Sequence, residues 1–287
     1  MKINKIVSLA NEKVRLRFLA MERSLRATGC QLPLLVIPYD ENLFDLPDGA
    51  TWWEVPEILH FLREKKAHPM MRKYQCLTIQ NYQFVDSDIC FLRNPELVLN
   101  EFSGFIASCG HWRFPEHTYT AKSLRFFQER STMWPKLTFN AGQFACDRQL
   151  FTIPNLLSTL MHPDHIDTCV YFPYHDQPGL NLLVLISQVP ITNLTLPPIN
   201  MESTWAGDYI DDEYPSYWKD ENTKPYLIHW AGVDMNIPLP IHQVFYNFLD
   251  PAERSRWDQQ TPKRASRISI LSRLRRKLST ILQQFLS

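Results

Sequence analysis

The chain has 287 residues, 45% of them hydrophobic, 13% aromatic and 21% charged, which supports one large core and excludes disorder as the main state. Thirty basic residues balance thirty acidic ones, so nucleic acid is not expected as a partner. Only eight glycines occur where an average chain of this length has roughly 20, and neither G-x-G-x-x-G nor G-x-x-x-x-G-K-[ST] is present, which removes the usual support for dinucleotide and P-loop sites.

In chain order, Ile3–Leu9 predicts a first strand. Glu12–Thr28 predicts a helix through Val14, Leu16, Phe18, Leu19 and Leu25, ending at Gly29. Leu32–Ile37 is a continuous apolar run of the kind a doubly covered parallel strand shows, closed by Pro38-Tyr39-Asp40. Pro56–Lys66 and Met70–Cys76 predict helices, and Asn81–Val85 predicts a third strand whose end delivers Asp86, Ser87 and Asp88. Phe105–Ser108 and Gln143–Cys146 are shorter strands; Ala121–Arg130, Pro154–Leu160 and Gln177–Leu185 are helices. The rest of the chain up to Asn236 reads as irregular and aromatic. Strands alternating with helices predict a mostly parallel α/β sheet, with ligands collecting at the carboxyl ends of its strands.

Six scattered cysteines form no C-x-x-C pair and fit buried thiols in a reducing compartment. The N-terminus lacks a basic region followed by a long apolar stretch, and no apolar run approaches the ~20 residues that cross a bilayer. A cytoplasmic protein is the expectation.

Asp86 and Asp88 stand at i and i+2, so on an extended chain both carboxylates point to one face. Hard oxygen ligands at that spacing suit Mg²⁺ or Mn²⁺, which keep open positions for substrate phosphates. A solvated turn is the plain alternative. His229 offers an imidazole nitrogen acceptable to Mn²⁺, with a core histidine as its alternative.

Context carries the pair further. The aspartates follow an apolar strand and precede Ile89-Cys90-Phe91-Leu92-Arg93-Asn94-Pro95. Around them, in order, stand Arg72-Lys73-Tyr74, Phe139-Asn140-Ala141-Gly142, His175-Asp176-Gln177 with Leu180-Asn181, and Tyr226-Leu227-Ile228-His229-Trp230-Ala231-Gly232. Over roughly residues 1–240 this resembles the nucleotide-sugar glycosyltransferases of the GT-A fold, and within them the retaining glycogenin-like and lipopolysaccharide galactosyltransferase group.

The resemblance implies a GT-A type, Rossmann-like α/β fold with a mixed, mostly parallel central sheet flanked by helices. It also implies transfer of a sugar from a nucleoside diphosphate, UDP favoured, to a hydroxyl acceptor on a glycan or a lipid-linked glycan, with retention of configuration. Asp86, Asp88 and His229 would hold the Mn²⁺ or Mg²⁺, Asp88 most directly, while Asp86 could instead reach the ribose. Ala10 and Asn11 would lie near the base and ribose, although Asn11 also fits a helix cap. Lys73, with Arg72 second, would neutralise the departing diphosphate. Asn140 and Asp176 would bind the sugar's hydroxyls, and Gln177 would stand near the anomeric carbon. Asp176 could instead be a nucleophile or a helix cap. Ser87, Gly142 and Gly232 complete the donor-binding set, and Trp205 and Trp230 are expected to line the cleft. A non-catalytic sugar-binding or scaffolding protein with this fold is the competing class.

The catalytic domain is expected over 1–258 and a basic amphipathic helix over 259–287. All seven basic residues that follow Asp258 fall in 263–287, so residues 1–261 hold 23 basic against 30 acidic residues, −7, and the tail holds +7. Leu271, Leu274, Leu278, Ile281 or Leu282, and Phe285 repeat at helical spacing. Such a stripe fits an anionic inner membrane face, with a homodimer seam or docking on the acidic body as rivals.

Overall fold

The computed structural model describes residues 1–172 and 176–260. A central sheet of seven strands comprises β1 (Lys5–Ala10), β2 (Leu34–Pro38), β3 (Ala50–Trp52), β4 (Tyr82–Asp86), β6 (Phe105–Ala107), β7 (Gln143–Cys146) and β8 (Ile191–Asn193), in spatial order β3-β2-β1-β4-β7-β6-β8. Two further strands, β5 (Ile89–Phe91) and β9 (Leu227–His229), form a small antiparallel ribbon. β3, β2, β1 and β4 run parallel, β7 is antiparallel to both its neighbours, and β8 is parallel to β6. The sheet is therefore mostly parallel with one reversed strand.

That reversal has a consequence for the site. The carboxyl ends of β1, β2 and β4 lie on one edge, where Ala10 pairs with Pro38 and Leu9 with Asp86. Because β7 runs the other way, its amino end, and Asn140–Gly142 before it, arrives at the same edge; the Asp86 amide donates to the Gly142 carbonyl at 2.8 Å.

The first helix, Arg15–Ala27, follows a short 3₁₀ turn at Glu12–Val14 and ends before Gly29, whose φ of +86° is a left-handed conformation that glycine adopts without penalty. The helix predicted at Met70–Cys76 is instead a 3₁₀ run, Pro69–Thr78. Residues 71–77 are all buried, so no solvated face exists to favour an amphipathic α-helix. β3, β5, β8 and β9 were not predicted; each has three residues, too few to show an alternation. Pro178 sits in the first turn of the helix Gln177–Ile186, where its missing N–H has no intrahelical partner to lose.

Two apolar clusters cover the faces of the main sheet, one around Phe84, Phe105 and Phe144 and the other around Phe18, Met21 and Leu34. A third, built on Ile228, Trp230, Phe245 and Trp257, joins the ribbon to the helix Pro251–Gln260. Glu253 on that helix pairs with Arg23 of the first helix, and the Trp257 ring lies 4.8 Å from that of Phe245. All six cysteines are free and buried. Among the described residues no helix is long and apolar enough to cross a membrane. From Thr261 onward, the predicted C-terminal amphipathic helix falls outside the described residues.

Trp257→Ala should lower the unfolding free energy by about 3–5 kcal/mol, the usual effect of emptying a buried tryptophan site. Urea titration of the full chain checks it, and an unchanged midpoint would detach the helix Pro251–Gln260 from the core.

Candidate metal and sugar site

The end of β4 and the ribbon bring three ligand-bearing side chains together. Asp86 closes β4, Asp88 follows the turn at Ser87, and Ile89 pairs with His229 across the ribbon. Ligand atoms of Asp86, Asp88 and His229 all lie within 4.8 Å of one another. His229 Nε2 is 3.2 Å from Asp88 Oδ1 and 4.0 Å from Asp86 Oδ2. Its backbone is fixed as well, with the His229 amide donating to Thr204 and the Trp230 amide donating to Asp88. Burial acts to raise the Asp88 carboxyl, but His229 and Arg17 outweigh it and hold the group below the ordinary carboxylate value.

Beside these residues lies a buried cation. Lys73 is fully buried, and its ammonium stands 3.1 Å from Asp86 Oδ1, 3.0 Å from Asp176 Oδ2 and 3.1 Å from the Ala141 carbonyl it donates to. Burial disfavours its charge, yet the two carboxylates raise its pKa above the ordinary lysine value. Asp176 is also buried, which pushes its carboxyl up to about 6; Lys73 opposes that rise and Asp86 adds to it. Asp176 makes no side-chain cap to the helix it precedes, so the capping alternative is set aside. The expectation that Lys73 faces a diphosphate is corrected. Its burial turns the charge inward, onto Asp86 and Asp176.

Carboxamides form the next part of the site. Asn140 Nδ2 donates to Gln177 Oε1 at 3.1 Å and lies 3.4 Å from His111 Nε2, while Asn140 Oδ1 accepts from the Gly142 amide at 2.7 Å. Gln177 Nε2 in turn donates to Thr118 Oγ1 at 3.3 Å. Asn181, one turn into the same helix, ties Phe139 to Gln177 through its side chain. A Cβ on Gly142 would fall 2.4 Å from Asp86 Oδ2 and 2.4 Å from His229 Cε1, so any side chain here must push one of them aside.

At the ends of β1 and β2, Asn11 Nδ2 donates to Asp40 Oδ2 at 2.6 Å, and the Ala10 carbonyl accepts from Tyr39. Asn11 stands at the N-cap of the 3₁₀ turn, but its side chain makes no capping bond. Arg72 donates to the Pro38 carbonyl at 2.6 Å, fastening the end of β2. Ser87 is buried in the turn between the two aspartates.

Trp205 bridges His229 through the backbone, remains 45% exposed, and donates its indole N–H to Ala231. Trp230 is corrected. It is buried in the third cluster with its indole N–H on His242, and does not line the cleft. Gly232 has a φ of +68°, which explains the glycine without a ligand.

His111, Thr118 and Asp40 were missed by sequence reasoning. His111 and Asp40 follow the carboxyl ends of β6 and β2, the positions where a parallel sheet collects ligands, and that rule could have found them.

No model of a known protein family matches the chain, and no curated protein matches it in sequence. Solved structures do resemble it. The bifunctional glycosyltransferase WbbM, in its apo structure, superposes with a TM-score of 0.56 at 13% identity, over 90% of this chain and 52% of its own. The galactosyltransferase LgtC, solved in complex with donor and acceptor sugar analogs, gives 0.51 at 14% identity, over 88% of this chain and 99% of its own. The chain has the GT-A glycosyltransferase fold. It spans about half the length of WbbM and nearly all of LgtC.

Two outcomes follow from this geometry. Gly142→Ala must displace Asp86 or His229, and should cut Mn²⁺ affinity at least about tenfold, read by calorimetry. The folded Asp176 carboxyl binds its proton more tightly than the unfolded one, so its contribution to stability is present below about pH 4 and lost as pH rises through about 6. Asp176→Asn should therefore lose less stability than the wild-type chain between those values in metal-free urea titrations; parallel curves would contradict the assignment.

Proposed function

We propose that the chain is a metal-dependent glycosyltransferase, moving a sugar from a nucleoside diphosphate, UDP by preference, to an acceptor hydroxyl with retention of configuration. The observation that carries this reading is the meeting of Asp86, Asp88 and His229 beside the Asn140–Gln177 amide pair on a GT-A fold. Two carboxylates and one imidazole are a donor set that suits Mn²⁺ or Mg²⁺, and the absent Cβ at Gly142 keeps Asp86 and His229 close. A cation bound there supplies positive charge against the departing diphosphate.

The chain's own residues then have distinct tasks. Lys73 holds one oxygen of Asp86, leaving the other turned toward His229. Asn11 and Asp40, at the ends of β1 and β2, offer polar groups for the ribose and base. Asn140 takes the sugar's hydroxyls, and Gln177 stands on the anomeric side. The acceptor oxygen bonds to the anomeric carbon as the bond to the diphosphate breaks, from the same face, and the acceptor's proton leaves with the diphosphate. Asp176 is read as the buried counter-ion of Lys73 and not as a nucleophile, because its carboxylate faces the ammonium and is shielded from the cleft.

A thermal-shift screen of UDP, GDP, CMP and dTDP with and without Mn²⁺ tests the reading, since a ligand at about 100 times its dissociation constant stabilises by about 2.7 kcal/mol. UDP should stabilise only with Mn²⁺. Asp88→Ala should abolish that shift, with a small drop in the apo melting point as the carboxylate that His229 and Arg17 favour is lost, and His229→Ala should weaken it. Stabilisation by no nucleotide, or equally in the Asp88 variant, would favour a non-catalytic protein with the same fold.

A further inference from the structure

The excursion between β6 and β7 differs in charge from the rest of the body. Residues 111–137 hold Arg113, Lys122, Arg125, Arg130 and Lys136 against Glu116 and Glu129, a charge of +3, while residues 1–261 together carry −7, which leaves −10 elsewhere. On this same excursion stand two of the large hydrophobic residues most exposed among those described, Phe114 at 61% and Met133 at 50%. They flank a single contact. The turn His111–Arg113 packs on the helix Trp134–Leu137; Phe114 follows the turn and Met133 precedes the helix. Trp112 and Trp134 are only half-buried, and the Arg113 guanidinium lies 5.4 Å from the Trp112 ring centre.

Exposed Phe and Met beside tryptophans and basic side chains suit the headgroup layer of a bilayer, where amphipathic rings settle and cations meet anionic lipid. A body of −10 is repelled by such a surface, so charge alone turns this face toward it. The excursion's inner side closes on the site, His111 against Asn140 and Thr118 against Gln177. We infer that residues 111–137 dock the chain on an anionic lipid surface and bring the His111 side of the site up to it. This goes beyond the catalytic reading, and its test needs no activity, so either can fail alone.

Because all six native cysteines are buried, Met133→Cys in the full chain gives one accessible thiol for an environment-sensitive fluorophore. Leu97→Cys, on the helix Pro95–Leu99 at a residue 75% exposed, marks a different surface. Phosphatidylglycerol vesicles should raise and blue-shift the emission at position 133, by about twofold in intensity, and leave position 97 unchanged; phosphatidylcholine vesicles should change neither. Arg113→Glu with Lys136→Glu should remove the response. The seven basic residues of the tail would also draw the chain to phosphatidylglycerol, but docking through the tail alone leaves position 133 silent and overturns the inference. A response at both positions, at neither, or at position 133 with soluble polyphosphate in place of vesicles overturns it too.

Discussion

The site is organised around one buried ammonium. Lys73 has no contact with water, and a charge so placed persists only where opposing charge meets it. Asp86 and Asp176 do so, one from the end of β4 and the other from the start of the helix Gln177–Ile186. Three segments distant in sequence are held to one point, and removing Lys73 leaves two carboxylates facing each other without a counter-charge. With Asp176 fixed, Gln177 follows at a set position and meets Asn140. With one Asp86 oxygen committed to Lys73, the other turns toward His229. The candidate cation ligands and the Asn140–Gln177 amide pair are thus set by the same ion pair.

Sheet topology supplies the other half of the arrangement. In a wholly parallel sheet the segment before β7 would enter from the far edge, and Asn140–Gly142 would lie a strand's length from Asp86. The reversed strand brings the segment to the carboxyl edge, where the Asp86 amide bonds to Gly142. The ribbon of β5 and β9 then carries Asp88 and His229 to a shared position, with Thr204 bonded to the His229 amide from behind. The Thr204 side chain is itself held by Gln143 and Ser108, and Ser108 reaches Tyr226, so a buried polar network supports the histidine from below.

Legibility in the sequence followed physical scale. β1, β2 and β4 are apolar runs long enough to show themselves, and the aspartates at the end of β4 were readable because strand periodicity puts alternate residues on one face. Asn140, Asp176, Gln177 and His229 came from motif order and resemblance, and the structure gathers them around Asp86 and Asp88. The environment of each residue was not legible. Lys73 reads as a surface helix charge until the 3₁₀ segment is seen to be buried throughout, and Trp230 reads as a sugar platform until His242 claims its indole. His111 lies in no recognisable motif. Its place past the carboxyl end of β6 was the one signal available, and its proximity to Asn140 shows only in the fold.

The central claim is that Asp86, Asp88 and His229 hold a divalent cation that recruits a nucleoside diphosphate. Electron paramagnetic resonance of Mn²⁺ titrated into the full chain, with and without UDP, tests it most directly. The account predicts loss of the free-ion signal with one site per chain, tighter binding when UDP is present, and recovery of the free signal in Asp88→Ala. A free-ion signal that is indifferent to the protein, or UDP binding that survives complete removal of metal, would contradict it.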